Sequence, residues 1–210
     1  MSWDEIVHEI RETSQEMHGA REIGLTKCRS LIQHSAKAIR HIHRHQFEEA
    51  EILLAEARQI AEDTRAALRA HGELYYAGYL HDAEKELVEA HATYAIVRGM
   101  DWPTPQDMGC GVMAYLNGMG EAASEVRRFA LDEMRRGSTT EAENILVAME
   151  TIYDDLITFD FADSMTGGLR RTCDALRAVI ERTRSDLTMS ATQRALVAEL
   201  QATREKLNLR

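Results

Sequence analysis

Proline is almost absent from this chain, and that absence constrains the fold more than any other feature. The sequence contains only two prolines, Pro103 and Pro105, among 210 residues. Proline breaks helices, so long stretches without it that are rich in Ala, Leu, Glu and Arg favour helix. No segment alternates apolar and polar residues as a half-buried strand does. The sequence therefore predicts an all-α protein, and its length predicts one domain over residues 1–210.

Apolar residues recur at helical spacing along the chain and divide it into several helices. The first pattern ends near Arg44, and Gly19 and Gly24 either interrupt this helix or only weaken it. A further helix is predicted from Tyr75 to Val97, with Tyr76 on its apolar stripe. Near the end of the chain another helix boundary is predicted.

The last predicted helix begins at Ser190, which forms a capping pattern with Gln193. Leu196, Leu200 and Leu207 lie along this helix. Their spacing suits packing either against the rest of the bundle or against a partner subunit.

Charge and cysteine content exclude several classes of protein. The net charge of −10 argues against a protein that attracts nucleic acid over its whole surface, although it allows a local basic surface. The three cysteines are far apart and lack the spacing of a metal site, so we expect reduced thiols. No apolar run approaches the length of about 18 residues that a membrane span needs. We expect a cytoplasmic protein that does not contact membranes.

Acidic residues cluster on two of the predicted helices. Asp82, Glu86 and Glu89 share one helical face, and Glu121 and Glu125 lie one turn apart on another helix. If the two faces met across a cleft, their carboxylates would form an oxygen-rich pocket suited to a hard divalent cation. The alternative is a pair of solvated helix faces, and spacing alone favours that alternative.

Two groups of cations are candidates for contacts with phosphate. Lys37, Arg40 and Arg44 share one helical face, and clustered cations bind nucleic acid by releasing counterions. Arg170 and Arg171 open a helix after a glycine pair, where free backbone N–H groups bind anions. Each group is also explained as a solvated basic surface.

The remaining candidate motifs carry little chemistry. His41, His43 and His45 alternate, and alternate residues of a helix point apart, so they do not predict a metal site. Gly118-Met-Gly120 follows no predicted strand and is therefore no dinucleotide fingerprint. The sequence also offers no P-loop and no serine or cysteine nucleophile with a matched base.

Six short motifs follow one another along the chain. They are Ser35-Ala-Lys-Ala-Ile-Arg-His-Ile-His-Arg, Glu86-Leu-Val-Glu89-Ala, Tyr115-Leu-Asn-Gly, Ala123-Ser-Glu125-Val-Arg, Tyr153-Asp-Asp-Leu and Gly167-Gly-Leu-Arg-Arg. This series resembles the translin and translin-associated factor X family. The individual motifs are short, and their shared order from roughly Ile23 to Leu187 makes the resemblance specific.

The resemblance implies a subunit of about seven helices that assembles into a hollow homo-oligomeric barrel, expected to be an octamer. In that family, factor X subunits cleave single-stranded RNA with Mg²⁺ or Mn²⁺, whereas translin subunits bind nucleic acid without cleaving it. We therefore expect a metal-dependent endoribonuclease acting on single-stranded RNA, with single-stranded DNA as a second candidate ligand. The alternatives are a non-catalytic nucleic-acid-binding barrel and a helical scaffold with no nucleic-acid role.

The resemblance also implies which residues carry the chemistry. The catalytic, metal-binding acids of factor X fall on Glu86, Glu89, Glu121 and Glu125. Glu121 replaces the family aspartate, which keeps the charge and lengthens the side chain by one methylene. Because all four positions are acidic, the sequence favours the catalytic branch. Asp82 is a weaker candidate, for a residue that supports these four ligands without contacting the metal itself.

Overall fold

The computed structural model describes residues 1–207, and over that range the chain is all-α. Its helices are α1 (Trp3–His43), α2 (Phe47–Leu68), α3 (Gly72–Tyr75), α4 (Gly78–Arg98), α5 (Pro105–Met108), α6 (Val112–Arg136), α7 (Thr139–Leu156), α8 (Asp163–Thr166) and α9 (Leu169–Lys206). Three of them, α3, α5 and α8, are single turns of four residues. The remaining six build the bundle, and the predicted all-α class is confirmed.

The long helices form two groups of three that meet at α4 and α6. α1, α2 and α4 pack together in one group, and α6, α7 and α9 in the other. Gly111, just before α6, donates to Glu84 near the start of α4, whereas Phe129 late in α6 lines the same cavity as Ile96 late in α4. α4 and α6 are therefore parallel, and the segment 99–111 crosses the bundle to connect them.

The main apolar core lies between these two groups. Leu87 and Val88 of α4, Val126 of α6, Met149 of α7 and Leu176 of α9 are all fully buried there. Burial of such side chains stabilises the bundle by about 1.5 to 3 kcal/mol each. Within residues 1–207 no helix combines the length and the apolar character that crossing a membrane would require.

The close packing of α4 on α6 depends on Gly118. A Cβ atom at this position would lie 2.7 Å from both the Lys85 carbonyl oxygen and the Val88 Cβ atom. Such separations are shorter than any ordinary van der Waals contact, so only glycine permits the two backbones to approach this far. Gly118 therefore sets the distance across which Glu121, one turn further along α6, faces α4.

α1 continues without a break through Gly19 and Gly24, so of the two alternatives at these glycines the structure excludes interruption. A Cβ atom on Gly24 would lie 2.9 Å from the Leu68 side chain, so this glycine serves the packing of α1 on α2. A Cβ atom on Gly19 would meet nothing within 4 Å, so no packing contact requires glycine here and the helix passes through it. Both glycines are thus tolerated in the helix for different reasons.

The predicted helix from Tyr75 to Val97 is wrong at its start. α3 ends at Tyr75, Ala77 takes an extended conformation, and α4 begins only at Gly78. Tyr76, predicted to lie on the apolar stripe, falls in this break and is 86% exposed. The break carries the chain around the end of the bundle from α2 into α4.

The prediction of a separate last helix beginning at Ser190 is also wrong. α9 runs unbroken to Lys206, because its sequence contains neither glycine nor proline to stop it. Among residues 1–207, Leu187 is the last buried residue, so the remainder of α9 extends beyond the core. Leu196 and Leu200 are 59% and 60% exposed. They do not pack on their own bundle.

Candidate metal centre

Three carboxylates meet where α4 and α6 pack together. Oxygens from Glu86, Glu89 and Glu121 all lie within 4.8 Å of one another. Glu86 and Glu89 are one turn apart on α4, and Glu121 reaches them from α6. Ligands on opposite sides of a Mg²⁺ ion are about 4 Å apart, because each bond is about 2.1 Å long. The spacing of these oxygens therefore suits coordination of one divalent cation.

The acids destabilise one another when no cation neutralises them. Burial, followed by repulsion from Glu86 and Glu121, raises the pKa of Glu89 to about 8. Burial and the charge of Glu121 also raise the pKa of Glu86. A cation that binds here displaces the proton and relieves the repulsion. The chemistry of this donor set fits a hard divalent ion such as Mg²⁺ or Mn²⁺.

Glu125, one turn beyond Glu121, has a different environment. The His43 Nε2 atom lies 2.6 Å from the Glu125 Oε1 atom, and the imidazole N–H donates to the carboxylate. This hydrogen bond outweighs burial and lowers the pKa of Glu125. Glu125 is therefore ionised at neutral pH, and its charge contributes to the raised pKa values of Glu86 and Glu89.

A lysine lies beside the acidic cluster. The Lys85 Nζ atom donates to the Glu121 Oε1 atom at 2.8 Å. Burial opposes the charge of Lys85, but the hydrogen bond to Glu121 and the charges of Glu121, Glu86 and Asp82 outweigh it and raise its pKa. Asp82 is itself exposed and acts on the cluster only through its charge.

Sequence reasoning missed His43 and Lys85 as partners of these acids. His43 meets Glu125, whereas His45 lies beyond the end of α1 and packs against Phe129. The pairing of His43 with Glu125 joins α1 to α6 across a large sequence separation, so no local spacing predicts it.

The five predicted phosphate contacts are exposed and fall in two places. Lys37 and Arg40 lie on α1 and Arg44 directly follows it, and none of the three has an ion-pair partner within residues 1–207. Arg170 lines a cavity of about 340 Å³ formed by α7, α8, α9 and the loop before α8. Arg171 follows it on α9. That cavity includes none of the four predicted metal ligands.

Comparison with solved structures identifies the family. AfC3PO, solved alone and as a complex with duplex RNA, has a TM-score of 0.85 and is 36% identical, over 90% of this chain and 98% of AfC3PO. The chain belongs to the translin and translin-associated factor X family. The apo structure of NeC3PO shares the translin-family fold, with a TM-score of 0.79 at 20% identity over 88% of this chain and 96% of NeC3PO.

Sequence comparison also finds a partial match. An uncharacterised protein of Methanocaldococcus jannaschii is 29% identical over 113 residues, which are 53% of this chain. The matched region spans only half the length of that relative. No protein-family model matches the chain. Membership of the translin family therefore rests on the likeness to AfC3PO, and it confirms the resemblance carried by the six motifs.

Proposed function

We propose that this translin-family protein is a metal-dependent endoribonuclease that cleaves single-stranded RNA. One observation carries the proposal, namely that Glu86, Glu89 and Glu121 offer oxygens within 4.8 Å of one another where two helices meet. Carboxylate clusters of this kind hold the hard cations that assist phosphodiester hydrolysis. The complex of AfC3PO with duplex RNA supports RNA as the ligand class.

Glu86, Glu89 and Glu121 would hold Mg²⁺ or Mn²⁺, with Glu125 as the fourth acid of the centre. When bound, such an ion orients a phosphodiester, lowers the pKa of an attacking water and stabilises the leaving oxygen. His43 keeps Glu125 ionised and occupies its Oε1 atom, so Oε2 would be the atom that accepts a proton from an attacking water. Glu89 gives up its own proton when the site is filled.

We further propose that Lys37, Arg40 and Arg44 contact the RNA backbone near this centre. Their exposed positions and the absence of ion-pair partners within residues 1–207 support that role, because each cation is free to meet a phosphate. Arg170 and Arg171 would contact RNA elsewhere on the subunit. Single-stranded DNA would bind through the same phosphate contacts, which do not distinguish the two sugars.

We propose that the subunits assemble into a hollow homo-oligomeric barrel, with eight copies as the expected number. The exposed leucines of α9 support assembly, because an apolar side chain on a projecting helix is stabilised by burial against a partner. Cys28, Cys110 and Cys173 are free thiols, which supports action in the cytoplasm.

Labelled single-stranded RNA incubated with the purified protein tests the proposal. We expect cleavage with Mg²⁺ or Mn²⁺ and none with EDTA. Glu125→Gln preserves the size of the side chain but removes the base, so we expect at least a roughly hundredfold loss of cleavage with assembly and RNA retention unchanged. Glu143→Gln, an exposed position on α7, is the matched control and should cleave normally.

Each other outcome of this assay has a defined meaning. Cleavage by Glu125→Gln at the parent rate would show that the proposed site is wrong. RNA retention without cleavage in either metal would favour the non-catalytic barrel. A protein that retains no RNA at low salt would be a helical scaffold instead.

A further inference from the structure

Lys85 lies in the seam between α4 and α6, within the acidic cluster itself. It precedes Glu86 in sequence and is one turn before Glu89, so it shares the face of α4 that meets α6. Its backbone is fixed there, because its carbonyl oxygen lies where a Cβ atom on Gly118 would be only 2.7 Å away. The side chain is 23% exposed and Nζ contacts Glu121. Lys85 is therefore a positioned cation and differs from a freely moving surface lysine.

The positive charge of Lys85 offsets part of the negative charge of the acidic cluster. Glu86, Glu89 and Glu121 carry three negative charges once they are ionised. One divalent ion together with one ammonium group neutralises them. Glu125, whose Oε1 atom is bound by His43, adds a fourth negative charge beside these three. Two divalent ions together with the ammonium group would carry five positive charges, which exceeds the four negative charges of Glu86, Glu89, Glu121 and Glu125.

The position of Lys85 also obstructs a second ion. Paired metal ions in phosphodiesterases lie about 3.5 to 4 Å apart and share carboxylate ligands. The Lys85 Nζ atom already lies 2.8 Å from the Glu121 Oε1 atom. A divalent ion on that oxygen would be about 2.1 Å from it, close enough for strong repulsion from the ammonium group in a half-buried site.

We propose that Lys85 acts as the second cation of this centre, holding Glu121 in place and limiting each subunit to a single divalent ion. This inference rests on the proposed function only in treating the cluster as a metal centre. Lys85 is a positioning residue, because it acts through Glu121. If Lys85 had a purely structural role, its removal would weaken metal binding. If Lys85 instead acts as a cation of the centre, its removal would strengthen metal binding.

Titration of the full-length, metal-free protein with Mn²⁺ at pH 8, followed by calorimetry and by electron paramagnetic resonance, tests the inference. We expect one ion per chain in the parent protein and two in Lys85→Gln. The first ion should bind Lys85→Gln about tenfold more tightly, because a repelling charge is gone. Lys85→Arg keeps the charge and should restore a single ion. Lys27→Gln, which removes a lysine of α1 that is paired with Asp63 of α2, is the matched control.

Two results would overturn the inference. One is two ions per chain in the parent protein, a measurement that requires no variant and stands even if Lys85→Gln does not fold. The other is unchanged or weaker Mn²⁺ binding in a folded Lys85→Gln. Failure of the proposed nuclease is seen separately, as single-ion binding without RNA cleavage. A parent protein that binds no Mn²⁺ would overturn both.

Discussion

Glu89 and Glu125 have opposite protonation preferences although both belong to the same group of acids. Glu89 is surrounded by other carboxylates in a buried position, whereas Glu125 accepts a hydrogen bond from His43. A proton consequently occupies Glu89 at neutral pH when no metal is bound, while Glu125 is already a carboxylate. In the proposed centre, Glu89 would therefore serve as a ligand that loses its proton to the metal, and Glu125 would serve as the base.

The raised pKa of Glu89 predicts how stability depends on pH without metal. The folded protein keeps a proton that the unfolded chain releases between its ordinary pKa of 4.5 and about 8. The free energy of unfolding in EDTA should therefore fall as pH rises through this window, by about 2 to 4 kcal/mol from this group. Denaturant unfolding at a series of pH values measures the slope.

Glu89→Gln supplies the control for that slope, because its amide does not titrate. The unfolding free energy of this variant should depend less on pH between about 5 and 8 than that of the parent. Adding Mn²⁺ should also restore stability to the parent at pH 8, since the ion replaces the proton. Identical slopes for the parent and Glu89→Gln would show that Glu89 does not hold this proton.

The four acids are predictable from sequence, but their partners are not. Carboxylates at helical spacing and the family resemblance together predict Glu86, Glu89, Glu121 and Glu125 as site residues, and the structure brings oxygens of Glu86, Glu89 and Glu121 within 4.8 Å of one another. The contacts of Glu125 with His43 and of Glu121 with Lys85 depend on how helices pack, and sequence periodicity carries no information on which faces meet. The protonation of the acids depends on those contacts and is equally inaccessible to sequence reasoning.

Between the helices, one glycine decides whether the acids face each other at the right distance. Gly118→Ala would place a methyl group 2.7 Å from the Lys85 carbonyl oxygen and the Val88 Cβ atom, so α4 and α6 must separate. We expect a loss of about 1 to 3 kcal/mol in unfolding free energy. Weaker Mn²⁺ binding should accompany it, because Glu121 moves away from Glu86 and Glu89.

Gly19→Ala is the matched control for this substitution. Gly19 also lies inside a helix, but a Cβ atom there meets nothing within 4 Å. Alanine should stabilise α1 by about 0.5 to 1 kcal/mol through its better helix propensity. Thermal and denaturant unfolding of both variants tests the pair. A Gly118→Ala protein as stable as Gly19→Ala would show that the α4–α6 contact does not require glycine.

Helix boundaries differ from expectation where local signals and tertiary context disagree. Ser190 and Gln193 form a start pattern, yet α9 passes through them because no residue nearby breaks the helix. Ala77 instead interrupts an apolar pattern that is continuous in the sequence. A start pattern inside a long helix therefore does not locate a helix end, whereas Gly137 does mark the end of α6.

For the molecule as a whole, we predict that assembly depends on apolar contacts made by the projecting part of α9, which follows Leu187. Leu196 and Leu200 share one face of this helix and are largely exposed in the subunit. Replacing both with glutamate should lower the oligomeric mass measured by light scattering, because charge on this face opposes burial against a partner. The helical content of the subunit should not change.

Ala198→Glu adds a charge on the opposite face of the same segment and serves as the control. This variant should assemble like the parent protein. An unchanged mass for the double leucine variant would show that the projecting part of α9 does not join subunits. A loss of helical content in that variant would instead show that these leucines support the subunit's own fold.

The parallel arrangement of α4 and α6 has a mechanical consequence. Glu86 and Glu89 belong to the first three-helix group and Glu121 to the second, and the backbone joins these groups only through the segment 99–111. An ion coordinated by Glu86 and Glu89 from one group and by Glu121 from the other would connect the two helix groups. Removing that ion with a chelator would then make the contact between the two groups less rigid and would also abolish the proposed cleavage. The rigidity of the subunit and its proposed activity would therefore depend on the same ion.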